Sequence, residues 1–123
     1  MYDVLRNNGV VVIQTRNLLK WAREKKHIFP MHFHKEPNGD RKLFIYVLDF
    51  HRSRVTFNII SFLESNEKPS FEVNSVEYRI ISAERLEAMM SEAGFKEAQT
   101  YGDFEFARFN NERSEDIIAI GTK

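Results

Sequence analysis

ISAERLEAMMSEAGFKEAQTYGDF, residues 81–104, decides how the rest of the chain is read. Ser82 is placed to cap a helix in which Leu86, Met89, Met90 and Ala93 recur at i, i+3, i+4 and i+7, the spacing of one buried face. Gly94 supplies the left-handed residue that stops it, and the methionines read as core filling. KEAQTYGDFEF (96–106) and EDIIAIGTK (115–123) then read as two strands around the polar stretch FNNERS (109–114). A helix of this kind needs a sheet to pack on, and the closing strands supply part of one.

Toward the N-terminus, MYDVLR reads as the last turn of a helix halted at Asn7, Asn8 and Gly9. Val10, Val11, Val12 and Ile13 follow without alternation, the pattern of a strand covered on both faces as in a parallel sheet. Asn17 stands where it would cap a short helix, LLKWAREKK (18–26), with Leu18, Trp21 and Ala22 on one face. Between this helix and the one at 83 lie KLFIYVLDF (42–50), RVTFNIISFLE (54–64) and SFEVNSVEYRII (70–81). The short connections HRS and SNEKP predict an antiparallel meander, and Asn38-Gly39 suits a tight turn pairing the histidine-rich stretch with its first strand. The expected class is α/β or α+β.

The chain has 123 residues, which suits one domain. Hydrophobic residues make up 42% and charged residues 29%, a globular balance, and 11 phenylalanines point to aromatic strands. Eighteen basic residues offset 18 acidic ones, so no basic field attracts nucleic acid or anionic lipid, and neither partner is expected. Without cysteine there is no disulfide framework, thiolate zinc site or cysteine nucleophile. The longest apolar run falls far short of the roughly 20 residues that span a bilayer, and no signal peptide precedes it, so a cytoplasmic location is expected.

The five glycines form neither G-x-G-x-x-G nor a phosphate loop, and G-x-S-x-G and H-E-x-x-H are absent too. HIFPMHFH (27–34) holds three of the four histidines. In an extended chain His32 and His34 share a face that Glu36 continues, an H-x-H-x-E row with zinc-ligand chemistry; the alternatives are a substrate-pocket histidine and solvated residues. Pro30 and Pro37 bracket the stretch and suggest the entrance to a lid rather than a rigid sheet. His27 and His51 read as loop residues, and Glu24 to Lys26 and Asn110 to Arg113 as solvated surface. Arg16 sits where strand gives way to helix, at the end of a strand where open α/β sheets place ligands. Its guanidinium suits a carboxylate through two parallel hydrogen bonds, and equally a structural ion pair. Asn17 is a cap or a ligand; Tyr78 offers a hydroxyl at a strand end, with Arg79 on the opposite face.

In this order of elements the chain resembles the C-terminal half of a class I S-adenosylmethionine-dependent methyltransferase. LRNNGVVVIQTRN (5–17) is similar to that family's L-x-P-G-G turn and fifth strand, with Asn7 and Asn8 replacing Pro-Gly. Residues 81–104 resemble its last helix and sixth strand, and EDIIAIGTK its seventh. Among these enzymes the likeness is greatest to the glycine and sarcosine N-methyltransferases, through Arg16-Asn17, the antiparallel segments of 42–81 and Gly102-Asp103-Phe104. The family's His-Arg-Asn-Tyr is here Thr15-Arg16-Asn17-Leu18.

The resemblance implies a single domain over 1–123, with 1–17 and 82–123 as part of a Rossmann-like sheet, one main amphipathic helix, and 27–81 as an inserted antiparallel lid. It implies the substrate-side half of an enzyme that transfers a methyl group from S-adenosylmethionine to a small molecule, an amine or amino acid among them. The cofactor's glycine-rich loop and ribose-binding acid belong to the family's first four strands, so a truncated chain that binds no cofactor and is inactive alone is expected. Arg16 would grip a substrate carboxylate and Tyr78 would face the substrate, with His34, Asn17 and His32 as further substrate-binding candidates; no catalytic, cofactor-binding or metal residue is assigned. Methyl transfer depends mostly on in-line positioning. The lack of a fourth strand would leave a sheet edge open to self-association, pairing or swapping between copies. The alternatives are a self-standing α+β dimerisation or ligand-binding module without enzymatic activity and, third, a small metal-binding protein using the histidines.

Overall fold

The computed structural model describes residues 1–65 and 68–123. In chain order the elements are β1 (Val10–Arg16), α1 (Leu18–Arg23), β2 (Ile28–Lys35), β3 (Arg41–Phe50), β4 (Arg54–Glu64), β5 (Ser70–Arg79), α2 (Ala83–Glu92), β6 (Lys96–Tyr101) and β7 (Asp116–Thr122), preceded by a 3-10 turn at Tyr2–Val4. They form two compact units, one of Met1–Trp21 with Ile81–Lys123 and one of Ala22–Ile80. The fold is mixed α/β, and the strand pairings in both sheets are antiparallel.

In the first unit a three-stranded sheet runs in the order β1-β7-β6, with β7 antiparallel to both neighbours. Helix α2 begins as its sequence requires, the Ser82 Oγ accepting from the Arg85 N–H at 3.2 Å, and Gly94 follows it at φ +98. Val11, Ala83, Leu86, Met90, Phe95, Ile117 and Ala119 make the core between helix and sheet. The buried stripe is narrower than the spacing predicts: Met89 is 41% exposed and Ala93 is exposed too, while Phe95, just past the glycine, takes the place at the end of the stripe. Gly121 in β7 makes this packing possible, because a Cβ there would come within 2.7 Å of Met90 Cε and 3.2 Å of Phe95 Cβ.

Three expectations are corrected in this unit and at its border with the next. Val10–Ile13 predicts a strand covered on both faces in a parallel sheet, yet β1 pairs antiparallel with β7, and Val10 and Val12 are more than half exposed beside a buried Val11. A β-branched run specifies extended backbone and not the direction of its neighbour. The strand expected over 96–106 stops at Tyr101, because Asp103 Oδ1 accepts from the N–H groups of Glu105 and Ala107 and turns the chain. Helix α1 ends at Arg23 instead of Lys26, with Lys25 at φ 53.

The second unit is a four-stranded antiparallel sheet in the order β2-β3-β4-β5. The meander forms where the sequence places it, with ten consecutive pairs from Arg41↔Glu64 to Phe50↔Val55. The connection 65–69 includes Asn66 and Glu67, which lie outside the described residues. The histidine stretch is not a loose lead-in to the sheet. It is strand β2, paired with β3 from Ile28↔Val47 to Lys35↔Arg41, and Pro30 falls in a register shift between Phe29 and His32, where an edge strand tolerates proline. Leu48 and Val55 are fully buried, whereas β5 is exposed along its whole length.

Candidate functional site

The sequence-predicted residues fall into two sets, one in each unit. Arg16 and Asn17 close β1 in the first unit. Arg16 pairs directly with Asp116 in the β1–β7 register, and its Nη1 donates to both carboxylate oxygens at 2.9 and 3.0 Å while the guanidinium carbon lies 6.0 Å from the centroid of the Trp21 ring. The Arg16 side chain remains 57% exposed. The ion pair holds the guanidinium in one orientation at the strand end, and being exposed it contributes little to stability.

Asn17 is 1% exposed and fully engaged within the fold. Its Oδ1 accepts from the Lys20 N–H at 3.2 Å, which caps α1, and its Nδ2 donates to the Asn111 and Ser114 carbonyls at 3.1 and 2.9 Å. Those bonds staple the loop before β7 to the end of β1, so the asparagine shapes the corner. Asn110 and Asn111 are correspondingly more than solvated surface. Asn110 Oδ1 accepts from the N–H groups of Glu112 and Arg113, and the Asn110 N–H donates to Ser114 Oγ, which folds the loop onto itself.

Beside the staple, Glu115 takes the Lys20 ammonium on one oxygen and the Trp21 indole N–H on the other, the latter at 2.9 Å. Lys20 and Trp21 are both buried, and the carboxylate satisfies the two donors together. Sequence reasoning passes over Glu115 and Asp116. The available signal is their position, two acids opening a strand directly across from Arg16-Asn17, but only the register brings them together.

In the second unit His32 and Tyr78 lie on one face of the sheet. His32 approaches Tyr46 at 5.9 Å between ring centroids, Tyr46 stacks on Phe57 at 5.5 Å, and Phe57 meets Tyr78 edge to face at 6.3 Å. The four rings make a diagonal row that crosses every strand, with the two predicted residues at its ends. His34 shares the β2 face with His32 and stands opposite Lys42. Glu36 falls beyond the end of β2, where its N–H closes the turn onto the Asp40 carbonyl at 2.9 Å, so the H-x-H-x-E row is broken. Among the described residues no three His, Cys, Asp or Glu side chains are grouped to hold a metal. Tyr46 and Phe57, which join the ends of the row, are indistinguishable in sequence from other strand aromatics.

The two antiparallel sheets and two helices make a mixed α/β fold. No protein-family model matches the sequence, and no curated protein is similar to it. Among solved structures, a S-adenosylmethionine-dependent methyltransferase from Clostridium acetobutylicum is similar with a TM-score of 0.70 at 12% identity, over 98% of this chain and 46% of that one. The CcbJ methyltransferase from Streptomyces caelestis is similar with a TM-score of 0.63 at 18% identity, over 97% of this chain and 48% of that one. The chain thus spans about half the length of the structures it matches.

Among the described residues the glycines form no open cradle of the kind S-adenosylmethionine would need. Beside Gly9, Gly94, Gly102 and Gly121 the space a Cβ would take is already filled by the chain's own atoms, namely the Arg6 carbonyl, the Tyr2 ring, the Ser114 side chain and Met90. Gly39, at φ +93, lies in an exposed hairpin turn.

Proposed function

We propose that this chain is the acceptor-binding half of a S-adenosylmethionine-dependent methyltransferase whose substrate is a small amine or amino acid. The observation that carries the reading is the extent of the structural likeness, which takes in nearly all of this chain and about half of each methyltransferase. In the complete enzyme the methyl group would come from S-adenosylmethionine held by residues outside this half. What this chain supplies is position. Asp116 and Trp21 fix the Arg16 guanidinium through Nη1 and its face, leaving the Nε–Nη2 edge as the pair of parallel donors that a substrate carboxylate fits. The row from His32 to Tyr78 offers flat aromatic surface with a hydroxyl and an imidazole at its ends.

A methyl-transfer assay on the complete reading frame, with a panel of amines with and without a carboxylate, tests this. Arg16→Lys is expected to lower kcat/KM at least about tenfold for carboxylate-bearing acceptors and to leave the others unchanged, since lysine cannot reproduce the fork. Equal loss on both classes removes the carboxylate role, and no methyl transfer to any amine overturns the reading. For the chain alone, calorimetry with S-adenosylmethionine is expected to show no binding; micromolar affinity would refute the division into halves.

A further inference from the structure

Beside the aromatic row, the same face of the second unit carries a small polar cavity. It has a volume of about 170 Å3 and is lined by Lys42, Ser61, Leu63, Ser70, Phe71 and Glu72. The register explains why it forms there. Ser61 stands between Phe44 on β3 and Glu72 on β5, and in the next row Leu63 stands between Lys42 and Ser70. Alternation turns Lys42, Ser61, Ser70 and Glu72 to one side of the sheet, and a serine among larger neighbours leaves a hollow in it.

Three of these groups have no partner. Ser61 is 7% exposed, yet its Oγ makes no hydrogen bond among the described residues. No fully buried side-chain oxygen or nitrogen among them lacks a partner, so this hydroxyl opens to the cavity that it lines. A hydroxyl withdrawn from water without a hydrogen bond is costly, and a bound polar group relieves that cost. Lys42 is half-buried, with Nζ 5.8 Å from the Phe44 ring centroid, and forms no ion pair among the described residues; nor does Glu72. Charges on the other face of the sheet are matched in place, Arg41 with Glu64 and Arg54 with Glu77. Lys42 and Glu72 are separated by β4 and do not meet across it.

We propose that this cavity binds a small zwitterion, a molecule that carries one carboxylate and one ammonium group. The ligand carboxylate lies on the Lys42 ammonium and takes the Ser61 hydroxyl as a second donor, while the ligand ammonium lies on the Glu72 carboxylate. Each charge of the site then meets one of opposite sign through a charge-assisted hydrogen bond. A simple carboxylate or a simple amine satisfies one side only. The cavity belongs wholly to the second unit, apart from Arg16, and the inference holds whether or not the molecule is a methyl acceptor.

Calorimetry on the 123-residue chain with glycine, β-alanine and γ-aminobutyrate, whose charges lie progressively further apart, tests it. Acetate and methylamine serve as carriers of one charge each. Saturable binding of at least one zwitterion is expected, at least about tenfold tighter than either single-charge compound. Lys42→Met and Glu72→Gln should each weaken that binding at least about tenfold, and Ser61→Ala by a smaller factor, with unchanged circular dichroism spectra. Arg16→Lys should leave it unchanged. Absence of saturable zwitterion binding overturns the proposal, as does equal binding of acetate or methylamine, or binding that survives both Lys42→Met and Glu72→Gln. Binding lost with Arg16→Lys instead would put the ligand at the Arg16 fork, which removes this site and leaves the methyl-transfer reading standing.

Discussion

The two units are stabilised in different ways. The first packs a capped helix against a sheet, with seven buried apolar residues in one cluster and a glycine that lets the layers touch. The second is a wide antiparallel ladder in which most side chains are half-buried or exposed and β5 is exposed on both faces. Apolar burial close to a helix concentrates stability in a few side chains, whereas a long ladder spreads it over backbone pairs. Single side chains should therefore matter much more in the first unit. The units also differ in what they offer chemically, one presenting a fixed cation and the other an aromatic surface.

Substitutions can break or sharpen this contrast. The largest effect is expected for Ile117→Ala in β7, where a fully buried side chain is lost at a cost of about 2–5 kcal/mol in urea unfolding followed by Trp21 fluorescence. The single tryptophan lies in the first unit and reports on it. Gly121→Val drives a side chain into Met90 and Phe95 and should cost about 1–3 kcal/mol by the same measurement. Asn17→Ala removes the α1 cap and the partner of two loop carbonyls, for an expected loss of about 1–2 kcal/mol. Val73→Ala, on the exposed strand of the second unit, should change stability by less than about 0.5 kcal/mol, and a loss comparable to Ile117→Ala would abolish the contrast.

The smallest effect concerns pH. At the start of α2 the Glu84 carboxyl is held below its ordinary range by its own backbone N–H, then by the Ser82 hydroxyl and the Asn111 side chain, against a small opposing effect of burial. A carboxylate depressed in the folded state stabilises it above its unfolded pKa of about 4.3 and loses that contribution as pH falls through the folded value. Glu84→Gln should therefore be slightly less stable than wild type at neutral pH, with the difference vanishing in acid. A difference that grows on acidification would show the sign to be wrong.

Most of the architecture was legible in sequence because local rules agree with the final packing. Ser82, Gly94 and the spacing of Leu86 and Met90 mark α2, and the alternating aromatic segments mark β3, β4 and β5. What sequence misjudged depends on long-range partners. The direction of β1 is set by β7, and the strand expected through Phe106 ends early because the Asp103 carboxylate captures two N–H groups. For the site, Arg16, His32 and Tyr78 are visible as residue types in telling positions. Their company was not legible: Asp116 meets Arg16 from 100 residues away, and Tyr46 and Phe57 join His32 to Tyr78 only across three pairings.

The pairing of Arg16 with Asp116 also bears on the order in which the chain folds. Each hairpin of the second unit joins neighbours in sequence and closes a short loop, so it can form while the rest of the chain is still disordered. Strand β1 pairs instead with β7, 100 residues further along at Arg16 and Asp116. Closing so long a loop carries a higher entropic cost and is slow. On loop-closure cost the first unit is therefore expected to form after the second, with the β1–β7 pairing of its valine-rich strand among the later events.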